Sequence, residues 1–211
     1  MLLALLWAPA TLLAAAAVHP LDRAPIEPRD LASLQAGART FVNYCLNCHG
    51  AQYMRYNRLG DLGLTEAQIR DNLMFAAEKV GETMTVAMTV KDGKAWFGVP
   101  PPDLSVIARS RGADWLYTYL RTFYRDEKTA SGWNNRVFAN VAMPHVLWQL
   151  QQEQSVVQYD RTVRDLVNFL VYLGEPAAQS RKSIGIVVLF VLGVLFVFAY
   201  AMKKAFWKDV R

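Results

Sequence analysis

Both cysteines of the chain and one of its three histidines fall within five consecutive residues, Cys45-Leu46-Asn47-Cys48-His49. Two thiols three positions apart reach one edge of a tetrapyrrole to form thioethers, and the adjacent imidazole then lies under the iron as an axial ligand. This C-x-x-C-H spacing is the attachment signature of c-type haem. Three other chemistries compete for the same residues. A disulfide between the two cysteines closes a loop too small to constrain much of the unfolded chain. A redox dithiol needs a strand–helix context that the flanking sequence lacks, and a zinc site needs four ligands from a chain that offers few. Covalent haem uses all three residues together and is the reading the motif favours.

An electron-transfer haem needs a sixth ligand, and methionine raises the potential while closing the iron to small molecules. Met54, Met74, Met84, Met88 and Met143 are the candidates. Met143 stands in Ala142-Met143-Pro144, an irregular stretch whose proline stiffens the backbone, whereas the other four read as core or surface thioethers. His145 is a rival two residues on, although a histidine in such a loop is more often a hydrogen-bonding group. The residues alone leave Met143 and His145 both open.

The elements that must position these groups read as mainly α with irregular connections. His19 to Asp30 contains three prolines and is expected to be an extended lead-in. Leu31 to Tyr44 has apolar residues at 31, 34, 38, 41 and 42, the spacing of a helix that delivers Cys45. Glycine and proline make Gly93 to Pro102 a loop, and Gly132 to Pro144 another. Asp114 to Arg125 reads as an aromatic-faced helix capped by Asp114. Asp160 to Leu173 places Val163, Leu166, Val167, Leu170 and Val171 on one helical face and stops at Gly174 and Pro176.

Ile184 to Met202 is 19 residues without a charge, about 28 Å as a helix and long enough to cross a bilayer. Arg181-Lys182 and Lys203-Lys204 bracket it, and the basic tail at 203–211 with Trp207 is expected on the cytoplasmic side. Met1 to Val18 is an apolar run ending in small residues. It resembles an export signal, and without the usual basic start a retained second anchor is the alternative. The chain therefore divides into this segment, a periplasmic domain over 19–180, a spanning helix over 184–202 and the tail. Residues 18 to 180 hold 17 basic and 17 acidic side chains, so the net charge of +5 comes wholly from the membrane-flanking end. That distribution excludes a nucleic-acid-binding face.

Four stretches in order carry a closer resemblance. They are YCLNCHG at 44–50 followed by QYMRYNRL, PPDLSVIARSR at 101–111, VAMPH at 141–145, and LGEPAAQSRK running into a spanning helix that ends YAMKKAFW. Together they resemble the cytochrome c1 family, the haem c subunit of the quinol:cytochrome c oxidoreductase or bc1 complex. The resemblance implies a c-type cytochrome domain with irregular loops around one covalently attached haem c, plus one C-terminal transmembrane helix in a bacterial cytoplasmic membrane. It implies that Cys45 and Cys48 hold the haem, that His49 and Met143 are the iron ligands, and that Pro101 and Pro102 pack on the histidine side, where a backbone carbonyl fixes the ring. It also implies that Arg111 pairs with a haem propionate; read alone, Arg111 is a solvated charge beside Arg109. The family's nearby aromatic is Trp115 here, so any propionate hydrogen bond from that position comes from an indole N–H.

The partners implied are cytochrome b, a Rieske iron-sulfur protein as donor and a soluble or tethered cytochrome c as acceptor, within a dimeric complex. The subunit itself makes and breaks no substrate bond. The segment between the haem motif and PPDLS is short and lacks the acidic runs of many relatives, so an acidic docking face is not expected. A free-standing tethered shuttle, a haem c subunit of a terminal oxidase and a haem-based sensor are the competing functions. Gly185 and Gly193 mark positions where the spanning helix would pack on partner helices.

Overall fold

The computed structural model describes residues 19–209. It is mainly helical, with two small two-stranded antiparallel sheets. Two helices form the frame: α1 (Leu31–Thr40) and α7 (Val156–Gly174), which share the most extensive contact between elements. Asp30 caps α1 by accepting from the Ser33 N–H at 3.1 Å. Ser155 and Gln158 form a reciprocal capping box at the start of α7, which satisfies otherwise orphaned backbone donors.

Gly37 lets the two helices approach. A Cβ built there would meet the Asp165 carbonyl and lie 2.7 Å from Phe169 Cβ, so any side chain would push α1 off α7. Around this contact lies a buried polar cluster, whose Asn168 Oδ1 has no hydrogen-bond partner among the described residues. The Ser33 hydroxyl donates to Asp165 Oδ1 at 2.6 Å, and Asn168 Nδ2 donates to Ser33 Oγ and to the Glu27 carbonyl. Of the five residues expected on the inner face of α7, Val163, Leu166, Val167 and Leu170 are buried, while Val171 is half-exposed.

The lead-in is extended, as its prolines require, and lies against α5 (Ala113–Arg121): the Asp22 and Ala24 N–H groups donate to Thr118 Oγ1 and Asp114 Oδ1, each at 2.8 Å. Arg121 joins three segments by pairing with Asp22 and Asp160. After α1 come a π-helical turn (Phe41–Cys45), β1 (Ala51–Arg55), a 3-10 helix (Tyr56–Leu62), α2 (Glu66–Leu73) and β2 (Thr83–Met84), which pairs with β1. Then follow α3 (Val90–Phe97) and α4 (Ile107–Arg111), and after α5 the hairpin of β3 (Phe123–Arg125) and β4 (Trp133–Asn135). The short α6 (Trp148–Glu153) precedes α7.

Three expectations need correction. Gly93 to Phe97 is helical, because Thr89 and Asp92 form a capping box that starts α3, which ends at left-handed Gly98 (φ 77°). Asp114 lies inside the first turn of α5 and accepts from Ala24 instead of capping; the helix stops at Arg121, and Phe123 to Arg125 pairs as a strand. That strand's partner, Trp133 to Asn135, takes the first part of the stretch expected to be all loop.

The last helix, α8 (Ala178–Phe206), follows α7 after a three-residue break, and the Arg181–Glu175 ion pair spans the junction. The span from Ser180 to Phe206, 27 residues, is long enough to cross a membrane and contains the uncharged stretch 184–202, and no part of its most apolar window is buried among the described residues. Among the described residues, and apart from the helix's own backbone, nothing lies within 4 Å of a Cβ built on Gly185 or Gly193. The export-signal reading falls on residues 1–18, outside the described residues. Gly37→Ala is expected to destabilise the folded domain by about 1–3 kcal/mol through forced separation of α1 and α7, measured by denaturant unfolding of the detergent-solubilised chain.

Candidate functional site

The π-helical turn sets the position of the C-x-x-C-H segment. Leu46 N–H donates to the Phe41 carbonyl at 2.9 Å, one residue further back than an α-helix allows, and the Cys45 carbonyl then accepts from both Cys48 and His49 N–H. Such single wide turns recur where a helix must re-aim functional side chains. Here the chain leaves α1 with Cys45 buried and Cys48 half-exposed, both as free thiols. Burial, assisted by the nearby Cys48, pushes the Cys45 thiol up to about 12, and burial raises Cys48 as well. A redox dithiol needs a thiol held below its ordinary value, so these shifts run opposite to that chemistry.

His49 is fixed from the other side of the sequence. Its Nδ1 lies 2.7 Å from the Pro102 carbonyl oxygen. A carbonyl can only accept, so Nδ1 carries the proton and Nε2 keeps its lone pair free for a metal. Burial lowers the imidazole's pKa, opposed by the Pro102 carbonyl and the Asp103 carboxylate, and a neutral ring is the ligating form.

The PPDLS segment is clamped against the residues that follow the motif. Asp103 accepts from the Gln52 N–H at 2.9 Å and the Ser105 N–H at 2.8 Å, Ser105 Oγ accepts from the Tyr53 N–H, and Leu104 N–H donates to the Gly50 carbonyl. Gly93 lets α3 brace the prolines, since a Cβ there would lie 2.9 Å from Pro101 Cδ.

Cys45, Cys48, His49, Pro101, Pro102, Arg111 and Met143 line one cavity of about 300 Å³, together with apolar side chains that include Val99, Leu116 and Val141; Leu166 and Leu170 of α7 reach it from the frame. Met143 enters on the loop after β4, which is itself tied down: Asn135 Oδ1 accepts from the Val137 and Phe138 N–H groups, and Asn134 Oδ1 accepts from Asn140 N–H. The Tyr119 hydroxyl donates to Met143 Sδ at 3.4 Å. The Arg111 guanidinium lies over the rings of Trp115 (5.1 Å) and Phe138 (5.9 Å) at the same cavity. Of the other methionines, Met54, Met74 and Met84 are buried in the core and Met88 is half-exposed; none lines the cavity. His145 is buried, stacks on Phe123 and shares a 2.6 Å hydrogen bond with Gln151 Oε1.

The cavity fits a covalently held haem: apolar walls, two free thiols on one turn, an imidazole with its outer nitrogen available, a thioether and an arginine. Three contributors escaped sequence reasoning. Asp103 and Ser105 stand inside a quoted motif without having been given a role. Tyr119 was one aromatic of a helical face, and its four-residue spacing from Trp115 and Phe123 is the only signal that marked it.

The chain matches the Cytochrome C1 family over residues 22–210. It is similar to a cytochrome c1 of Allochromatium vinosum, 47% identical with 98% of this chain and 96% of the relative covered. It is also similar to a protein of Nitrosomonas europaea named ammonia monooxygenase gamma subunit, 51% identical with 100% and 97% covered. A cytochrome c1 of Rhodospirillum rubrum is 28% identical over 86% of this chain and 83% of its own length.

The thiol burial makes a measurable statement about the chain before any group is attached. In the folded haem-free protein at pH 8, iodoacetamide is expected to alkylate Cys48 at least about tenfold faster than Cys45, because an elevated pKa leaves little thiolate. Peptide mass spectrometry reads the two rates, and equal labelling would show that Cys45 is not enclosed.

Proposed function

The chain belongs to the cytochrome c1 family, a mainly α, membrane-anchored electron-transfer subunit that carries covalently bound haem c in a bc1 complex, and from that premise we propose how its residues do the work. Covalent haem c requires cysteine thiols, and the chain has only Cys45 and Cys48; these are the attachment points. His49 is the first iron ligand, held in its ligating tautomer by Pro102, and Met143 is the second. Arg111 sits where it can neutralise a propionate, and stacking on Trp115 and Phe138 limits its swing. When bound, the haem supplies a one-electron ferric–ferrous couple.

The observation that carries this reading is the convergence on one apolar cavity of Cys45, Cys48 and His49 with Met143, a residue almost a hundred positions away. With His49 and Met143 both committed to holding it, the bound group would serve to take up and pass on single electrons. The apolar walls exclude water, which favours the less charged ferrous state, and the Met143 sulfur acts in the same direction.

The finer assignment follows the family pattern. The domain of residues 19–180 faces the periplasm, α8 crosses the cytoplasmic membrane within 184–202, and 203–211 lies on the cytoplasmic side. A Rieske iron-sulfur protein donates the electron taken from quinol at cytochrome b, a cytochrome c removes it, and the complex is dimeric. The Nitrosomonas relative bears the name of a subunit of another oxidoreductase, so the companions that co-purify with this chain decide between the two assemblies.

Two measurements test this. Affinity purification from membranes in mild detergent is expected to bring haem b and iron-sulfur iron along with haem c, and haem c alone would reject the bc1 assignment for a tethered shuttle. Met143→Leu is expected to leave the haem attached while the midpoint potential falls sharply in a redox titration. A wild-type potential in that variant would remove Met143 from the ligand set.

A further inference from the structure

Tyr119 is 8% exposed, and its hydroxyl has one acceptor among the described residues, the sulfur of Met143 at 3.4 Å. A thioether is a weak acceptor, so a buried phenol facing one is an uncommon pairing unless the sulfur has a further task. The ring is held on both sides. Trp115 stacks on it at 4.7 Å with 11° between planes, and Phe123 meets it edge-on at 5.0 Å. Positions 115 and 119 are one helical turn apart and share a face of α5, and Phe123 extends the row past the helix end.

This row also grips the loop that carries Met143. Phe123 stacks on His145 at 4.9 Å, and Arg111 lies over both Trp115 and Phe138. The loop is therefore held near residue 138, at 143 and at 145, and Tyr119 makes the middle contact. The phenol oxygen, fixed by two rings, has little freedom to turn away from the sulfur.

We propose that Tyr119 is a positioning residue for Met143, whose O–H hydrogen bond to the thioether orients the sulfur and weakens its electron donation, raising the midpoint potential of the haem. A thioether sulfur has two lone pairs. With one directed at iron, the other remains to accept from the phenol, so the bond seen here is compatible with ligation. Donation from the O–H withdraws density from sulfur, and ferric iron, which depends more on that density than ferrous iron, is destabilised. The inference rests on Met143 being the sixth ligand.

The experiment is a redox titration of the full chain in its purified membrane assembly, with the weak far-red ferric band of sulfur-ligated haem recorded alongside. Tyr119→Phe keeps the ring stack and removes only the hydroxyl. The expected result is unchanged haem attachment, a lower midpoint potential and a displaced far-red band; a potential and band identical to wild type would overturn the proposal. Replacement of Tyr119 by 3-fluorotyrosine retains the hydroxyl, strengthens it as a donor and is expected to raise the potential. That variant decides the matter if the phenylalanine protein does not assemble, and no response to it overturns the proposal. A Met143→Leu protein with a wild-type potential would reject the ligand itself, whereas a potential lowered by Met143→Leu but insensitive at Tyr119 would reject only the role given to the phenol.

Discussion

The hydrogen bond of 2.7 Å between His49 Nδ1 and the Pro102 carbonyl joins two stretches 53 residues apart and decides which ring nitrogen is free. Much of the domain serves to hold its two ends. On the histidine side, the π-helical turn converts the end of α1 into a segment with Cys45 turned inward and His49 facing the prolines. On the carbonyl side, Asp103 and Ser105 bind the backbone of residues 52 and 53, and α3 packs on Pro100 and Pro101 through Gly93. A neutral hydrogen bond of this kind contributes only about 1 kcal/mol of net stability. Its larger effect is on orientation, because a ligating histidine is defined by the partner of its other nitrogen.

The features that the sequence disclosed are those encoded locally. C-x-x-C-H is a chemical signature within five residues, the apolar stripe of α7 repeats at helical spacing, and α8 is apolar on every face. The features that it concealed depend on competition between local signals. Glycine and proline around 93–102 outweighed the Thr89–Asp92 capping box, yet the box starts a helix, and Gly93 serves packing instead of breaking it. The aromatic run 115–124 carries one helical face, but Asn135 Nδ2 takes the Tyr119 carbonyl and β4 takes the backbone of 123–125, so the helix ends where that pairing begins. Met143 stood out through its proline; Tyr119 did not, because hydrogen bonding to a sulfur 24 residues away leaves no pattern in a linear chain.

Charge and apolar surface are segregated along the chain. The domain is electrically balanced, while the basic excess brackets the uncharged stretch 184–202 within and just beyond α8. The domain and the anchor thus answer to different solvents and meet at a short junction after Gly174, where Arg109 packs its stem against the glycine (Cγ 3.1 Å from a built Cβ). Arg111, two positions on, belongs to the cavity. The short helix α4 therefore has one arginine at the C-terminal end of α7 and another lining the cavity.

The burial of Cys45 ties the helical frame to the cavity. Cys45 is 8% exposed in the folded chain, burial raises its thiol pKa, and the residue lines the cavity. The frame forms part of the same wall, since α1 docks on α7 at Gly37 and α7 supplies Leu166 and Leu170 to the cavity. The proline loop and the Met143 loop supply the remaining walls, so α7 and both loops meet around one cavity of about 300 Å³. The packing that holds the two helices together thus also shapes the cavity wall.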